Sequence, residues 1–321
     1  MTKSHSSAPE MSLSRTDFGF RGRFRAMASP CELLIASGDE RLALSLTQAA
    51  ITECKRLEQK YSRFLAGNWL WRLNHSAGAP FMLDSEAAAL LLQFAKRCWQ
   101  LSEGLFDITA GPLLALWCFE KGNRSETSLP SSTDIKNALS RVGFQHLKFS
   151  PHFDDKVEDK SVQEITEQPW VMLPEAMALD FGGLVKEYAA DRVAGLCMTR
   201  AATTEVLVNL GGDIAVSGNR CWQVGIEDPA NLDRAAELIS LNMGALATSG
   251  DSRRFIEHQG RRYGHILDPR SGYPVQGAPR SVTVQAASCI TAGMLATLAM
   301  LKGAAAEDFL KAQQLEYSVI R

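Results

Sequence analysis

The stretch Glu205-Val206-Leu207-Val208-Asn209-Leu210-Gly211-Gly212-Asp213 joins a short β-rich run to a glycine pair and a carboxylate. The run is bounded too tightly for a helix, and its valines favour a pleated strand. Further along, Trp222 to Glu227, Leu238 to Leu241 and Ser281 to Ala286 read as strands, and Arg254 to Leu267 reads as a hairpin turning at Gln259-Gly260. Helical spacing covers about Leu184 to Met198 and Thr291 to Lys302, the latter stopping at Gly303. Towards the N-terminus, Arg23 to Met27 and Cys31 to Ala36 form a strand pair about Ser29-Pro30. Asp39 can cap a helix that carries Leu42, Leu46, Ala49, Cys54, Leu57 and Tyr61 on one stripe. A second helix is expected from Asp84, with Glu86 in its first turn, to near Gly104. The fold class is α+β, with an extensive, largely antiparallel sheet and packed helices.

Residues 1–20 read as a disordered polar leader and 21–321 as one domain, with no internal repeat or convincing linker. Lys121 to Thr133 and the acid-rich Pro151 to Pro169 read as surface insertions. The 321 residues are 45% hydrophobic and 22% charged, an ordinary globular composition. With 34 Lys plus Arg against 36 Asp plus Glu, a net charge of -2 gives no broad footprint for nucleic acid or anionic membrane. Seven dispersed cysteines without paired spacing point to a reducing compartment. No stretch approaches the roughly 20 apolar residues of a membrane helix, and no signal h-region is seen, so a cytoplasmic location is expected.

No G-x-G-x-x-G or G-x-x-x-x-G-K-[ST] pattern is present, which removes support for Rossmann and P-loop readings. Instead, glycine and polar residues cluster at Gly104 to Thr109, Asp180 to Tyr188, Asn209 to Asp213 and Ala247 to Asp251. Glycines at strand ends let backbone N–H groups approach a phosphate, since no Cβ blocks the ligand. Any one pair could equally make a tight turn. Gly182-Gly183 also precede a helix, whose N-terminal amides favour an anion. His265, in Tyr263-Gly264-His265-Ile266-Leu267-Asp268-Pro269, puts a titratable imidazole at a strand end, which suits a general base.

In order along the chain, Arg25-Ala26-Met27, Tyr61-Ser62-Arg63-Phe64, Gly104 to Thr109, Leu179 to Gly183, Val208 to Asp213, Thr248 to Asp251 and His265 to Pro269 resemble the ApbE family of FAD:protein FMN transferases. The resemblance spans about residues 23–303. It implies that Met27 and Phe64 line the flavin or adenine pocket, and that Leu105, Phe106, Asp107 and Asp180 contact FAD. It places Lys186 at the pyrophosphate, makes Thr248, Ser249, Gly250 and Asp251 walls of the site, and makes His265 both an FAD neighbour and the catalytic base. Mg²⁺ would be held near Gly183 by a backbone carbonyl and by Thr297. The family's metal-binding Asp aligns with Gly293, and Glu187 stands where the family has Gly. Glu187 is either a substitute carboxylate or a solvated first-turn acid.

The implied reaction moves FMN from FAD to a Ser or Thr hydroxyl of an acceptor flavoprotein or redox subunit, with release of AMP. FAD pyrophosphatase activity and a non-catalytic FAD-binding or delivery module are the alternatives.

Overall fold

The structure is a computed structural model that describes residues 11–76, 78–119, 129–151, 153 and 168–321. The first half contains β1 (Met11–Thr16), β2 (Gly19–Ala26), β3 (Ser29–Ala36), α1 (Glu40–Tyr61), α2 (Trp69–Asn74) and β4 (Phe81–Met82). A π-wound segment, Glu86–Leu92, then runs into α3 (Gln93–Leu101), followed by α4 (Gly111–Trp117), α5 (Ser132–Leu139), β5 (Lys148–Phe149) and β6 (Trp170–Met172). The second half contains α6 (Val185–Arg200), β7 (Glu205–Leu210), β8 (Asp213–Ser217), β9 (Trp222–Asp228), β10 (Asn231–Leu241) and β11 (Ala245–Gly250). β12 (Phe255–His258), β13 (Arg261–Gly264), β14 (Ser281–Ala286), α7 (Cys289–Leu301), α8 (Ala306–Ala312) and β15 (Tyr317–Ile320) complete the chain.

Eight strands form one sheet in the order β1-β2-β3-β7-β8-β11-β14-β15, antiparallel at every neighbouring pair. Side chains alternate across it with the strand period of two. Val206, Val208 and Leu210 of β7 enter the main core, whereas Leu207 joins Ile214 of β8 and Trp222, Val224 and Ile226 of β9 in a second cluster. A one-residue slip would exchange the two sets, so burial fixes the register. On the main-core face α6 packs against β7 and β8, α7 against β11 and β14, and the two helices against each other. This pairing brings the β7–β8 turn to the start of α6 and the C-terminal end of β11 to the middle of α7.

Gly211 and Gly212 form the two-residue turn between β7 and β8, with φ of 65° and 100° and Leu210 paired to Asp213. A primed hairpin turn needs positive φ at both central residues, and glycine meets that without steric cost. The turn delivers Asp213 to the sheet edge facing α6.

Four sequence expectations need correction. Part of the span assigned to a leader is β1, whose register pairs Met11 with Phe24 and Thr16 with Gly19. Its polar alternation is that of an edge strand with one wet face. The helix expected from Asp84 starts instead as the π-wound segment, with Asp84 Oδ1 accepting the Ala87 N–H at 2.9 Å. The span Lys121 to Thr133 ends inside α5, capped by Ser131; the rest of that span through residue 128, and residues 152 and 154–167, lie outside the described residues. β8 and β11, not assigned as strands from sequence, are central to the sheet.

Candidate active site

The Lys186 side chain leaves the first turn of α6 and reaches the β7–β8 turn. Its Nζ lies 2.8 Å from Asp213 Oδ2 and 3.5 Å from the Gly211 carbonyl oxygen. Asp213 is 2% exposed and also accepts the Thr248 backbone N–H. Burial raises the Asp213 carboxyl above its ordinary range, and Lys186 offsets only part of that. For Lys186, burial pulls the amine down, but Asp213 and Glu187 outweigh it and leave the pKa raised. A cation is thus held at the glycine turn, in a place drier than an ordinary surface.

The end of β11 supplies hydroxyls on both faces of the sheet. Thr248 Oγ1 lies 2.8 Å from Thr283 Oγ1 on β14, and Ser249 Oγ lies 2.9 Å from Thr297 Oγ1 on α7. Gly250 allows the two backbones to meet, since a Cβ there would stand 2.6 Å from the Arg280 carbonyl oxygen. Asp251 is tied by Arg280 Nε at 2.7 Å and Arg262 Nε at 3.3 Å. It also lines a cleft of about 260 Å³ with Gly264, Ile266, Val275 and Met300.

His265 follows β13 and is half-buried. Both its backbone N–H and its Nδ1 lie 3.2 Å from the Arg254 carbonyl oxygen. A carbonyl oxygen only accepts, so the tautomer that satisfies this contact carries the proton on Nδ1 and leaves the lone pair on Nε2. Burial first, and the Arg254 charge second, lower the imidazole pKa to about 4. Lys186 acts in the same direction and Asp251 against it. His265 is therefore a neutral acceptor at physiological pH.

On the opposite rim, Arg63 Nε lies 3.1 Å from Asp180 Oδ2, while Asp180 Oδ1 accepts the Gly182 N–H at 2.6 Å. A Cβ on Gly183 or Gly212 would meet nothing within 4 Å, so both backbones border open space. Leu184 offers no side-chain cap to α6. Phe64 is 69% exposed, with the Arg63 guanidinium 4.7 Å from its ring centroid. Met27 occupies the β2–β3 turn with φ of 51° and packs partly against the core.

The segment around residue 106 is otherwise disposed. Leu105 and Phe106 are buried in the main core. The Asp107 carboxylate accepts from Thr109 N at 2.8 Å, Thr109 Oγ1 at 2.7 Å and Phe144 N at 3.0 Å. Its bonds therefore secure the turn, and the segment reaches the rim through the backbone, where Asp180 N donates to Ile108 O at 2.8 Å. Contacts join Lys186 to Asp213, Asp213 to the Thr248 N–H and Ser249 to Thr297, while Asp180 and Gly183 lie just before Lys186 on the segment leading into α6. The sequence reading missed Arg63 as the partner of Asp180 and the Arg254 carbonyl as the group that orients His265. Arg63 lay inside a quoted motif, which was the available signal.

Glu187 is not the solvated first-turn acid that one of its two sequence readings expects. It is 7% exposed, and its Oε2 has no hydrogen-bond partner. Burial, reinforced by Asp213, pushes its carboxyl well above the ordinary carboxylate range. A Cβ on Gly293 would lie 2.6 Å from Glu187 Cγ and 3.0 Å from Oε1, so the glutamate fills the notch this glycine leaves in α7. An orphaned buried carboxylate oxygen is what a hard cation requires, and Thr297 and the Gly183 backbone supply further oxygens in the same region. These residues fit a Mg²⁺ site.

The chain matches the ApbE family model over residues 27–320. It is 30% identical over 273 residues to an FAD:protein FMN transferase of Klebsiella pneumoniae (strain 342), covering 85% of this chain and 79% of that protein. It is 31% identical over 277 residues to an FAD:protein FMN transferase of Treponema pallidum (strain Nichols), covering 79% and 72%. The crystal structure of the ApbE protein from Thermotoga maritima superposes with a TM-score of 0.79 at 27% identity, covering 96% of this chain and 94% of that one. The apo form of the Pseudomonas stutzeri flavinyl transferase ApbE gives 0.76 at 25% identity, covering 97% and 92%. A family-model match over residues 27–320, together with relatives 30% identical or more over most of their length, places the chain in the ApbE family.

Proposed function

We propose that this protein transfers FMN from FAD to a Ser or Thr hydroxyl of an acceptor protein and releases AMP. The observation that carries this is the 3.2 Å contact of His265 Nδ1 with the Arg254 carbonyl oxygen, which calls for the proton on Nδ1 and leaves Nε2 as a base beside a lysine and open glycine turns. The acceptor oxygen attacks the FMN-side phosphorus, His265 Nε2 takes the hydroxyl proton, and the P–O bond to the AMP phosphate breaks. Lys186 offsets charge on the pyrophosphate, and the backbones of Gly183 and Gly212 allow it close approach. A bound divalent cation, held by Glu187 or Thr297 and the Gly183 backbone, would neutralise phosphate charge. A base with a pKa near 4 is weak, but two phosphate charges arriving beside it raise that value towards neutrality.

No helix among the described residues is long and apolar enough to cross a membrane. By family analogy the acceptor is a membrane-associated redox subunit or flavoprotein with a Ser/Thr-Gly-Ala-type motif. The test is incubation with FAD and Mg²⁺, with and without an acceptor peptide. Flavinylated peptide plus AMP is the expected result. Free FMN plus AMP in both arms would make the protein a pyrophosphatase, and unchanged FAD would make it a binding module.

A further inference from the structure

We propose that the carboxylate which binds a divalent cation in this chain is that of Glu187, relocated from α7 to α6 across the interface between the two helices. The inference rests on the transferase reading of the site and deepens it. Three observations carry it together. Gly293 lies inside α7, where glycine is disfavoured relative to Ala, so its presence needs a spatial reason. The reason is steric: Glu187 Cγ, Oε1 and Cδ lie 2.6, 3.0 and 3.1 Å from where a Gly293 Cβ would stand. A carboxylate on α7 at this position and the Glu187 side chain would compete for one volume. The side chain filling it is itself more than nine-tenths buried, with Oε2 lacking any partner.

Lys186 does not complete that carboxylate, because its Nζ is engaged at 2.8 Å by Asp213. Two buried carboxylates and one amine leave one negative charge uncompensated when both acids are ionised. Among the described residues no group of three or more His, Cys, Asp or Glu gathers as a metal cluster. The available set is one carboxylate, the Thr297 hydroxyl and backbone carbonyl oxygen, the donors of a hard ion such as Mg²⁺ or Mn²⁺ and not of zinc or copper.

The experiment is a Mn²⁺ titration of the full chain, followed by electron paramagnetic resonance, with and without ADP as a non-transferable pyrophosphate. Glu187→Gln keeps the shape and removes the charge. It should weaken Mn²⁺ binding by at least about ten-fold, since even outer-shell changes cost that much, while circular dichroism stays native. The double variant Glu187→Ala with Gly293→Asp returns the carboxylate to α7 in the vacated volume and should recover affinity to within about three-fold of native, the usual spread of context effects. Unchanged Mn²⁺ affinity in Glu187→Gln, or no Mn²⁺ binding by the native chain in either arm, overturns the proposal whether or not the double variant folds. AMP release from FAD by the native chain is measured in parallel. If AMP is released while Glu187→Gln still binds Mn²⁺ normally, the ligand assignment fails and the transferase reading stands. If Mn²⁺ binding depends on Glu187 but no AMP appears, the reverse holds.

Discussion

Replacing Lys186 by Met keeps the length and apolar stem of the side chain and removes only the charge that Asp213 faces. At 2.8 Å and an effective dielectric of 20, the direct attraction is about 6 kcal/mol. The measured loss must be smaller, because Asp213 escapes by taking up a proton. Protonating a carboxyl with an unfolded pKa of about 3.9 costs about 4 kcal/mol at pH 7 and about 1.5 kcal/mol at pH 5, which caps the deficit at each pH. In the variant the folded Asp213 pKa rises further above its unfolded value. Stability from that group is then full below the unfolded pKa and is lost as pH rises through the folded one. Lys186→Met should therefore be nearly tolerated at pH 5 and increasingly destabilised towards pH 7. For 321 residues the caps correspond to melting-point losses of about 6 °C at pH 7 and about 2 °C at pH 5. Scanning calorimetry at the two pH values measures both, and adding Asp213→Asn should restore most of the loss. A deficit that is equal at both pH values, or below about 1 kcal/mol at pH 7, would refute the reasoning, because removing one partner of a buried pair costs about 3–5 kcal/mol unless protonation intervenes.

His265→Gln should leave FAD affinity within about three-fold and slow transfer to an acceptor peptide by about 10²-fold to 10⁴-fold, read from flavin fluorescence on the peptide. The imidazole itself, followed by NMR, should titrate near pH 4 without ligand and move upward with FAD bound; no movement would remove the pyrophosphate from its neighbourhood. Gly293→Ala should change stability by between about 0 and −2 kcal/mol, because overpacking against Glu187 costs about 1–3 and the helix gains about 1. In a Glu187→Ala background the same change should become stabilising by up to about 1 kcal/mol, and denaturant titration reads the change of sign. Calorimetry should find FAD bound more tightly than FMN, since contacts are expected on both sides of the pyrophosphate.

Where a run of residues carries its own period, its strand was legible to the residue: Glu205–Leu210 and Ser281–Ala286 match the observed limits, and Gln259-Gly260 turns the expected hairpin. Ala245–Gly250 was not read as a strand because its residues are small and its strand character comes from two neighbours, β8 and β14. Asp213–Ser217 was obscured for a different reason. Gly211-Gly212 read as a phosphate loop or a tight turn, and in the fold it is a hairpin turn from which both strands continue. Met11–Thr16 looked like a leader because an edge strand needs only one apolar side. The bond from Phe144 N to Asp107 could not be read from sequence, because the two residues lie 37 positions apart.

Glu187 and Gly293 expose the deeper limit. A first-turn acid is favoured by the helix dipole whether it is wet or dry, so local sequence carries no information on the choice. A glycine in a helix signals a missing volume but not its occupant. Only the packing of α6 on α7 identifies the two as one feature, a side chain and the hole it fills. That same packing makes the substrate-free site electrostatically costly: Glu187 is buried beside Asp213, and His265 is held neutral by burial, with Arg254 and Lys186 adding to it. A divalent cation bound at Glu187 would relieve the first strain and a pyrophosphate beside His265 the second. Each lowers the cost of admitting the other, so cation and dinucleotide should bind with positive coupling, each tightening the other's affinity by the same factor.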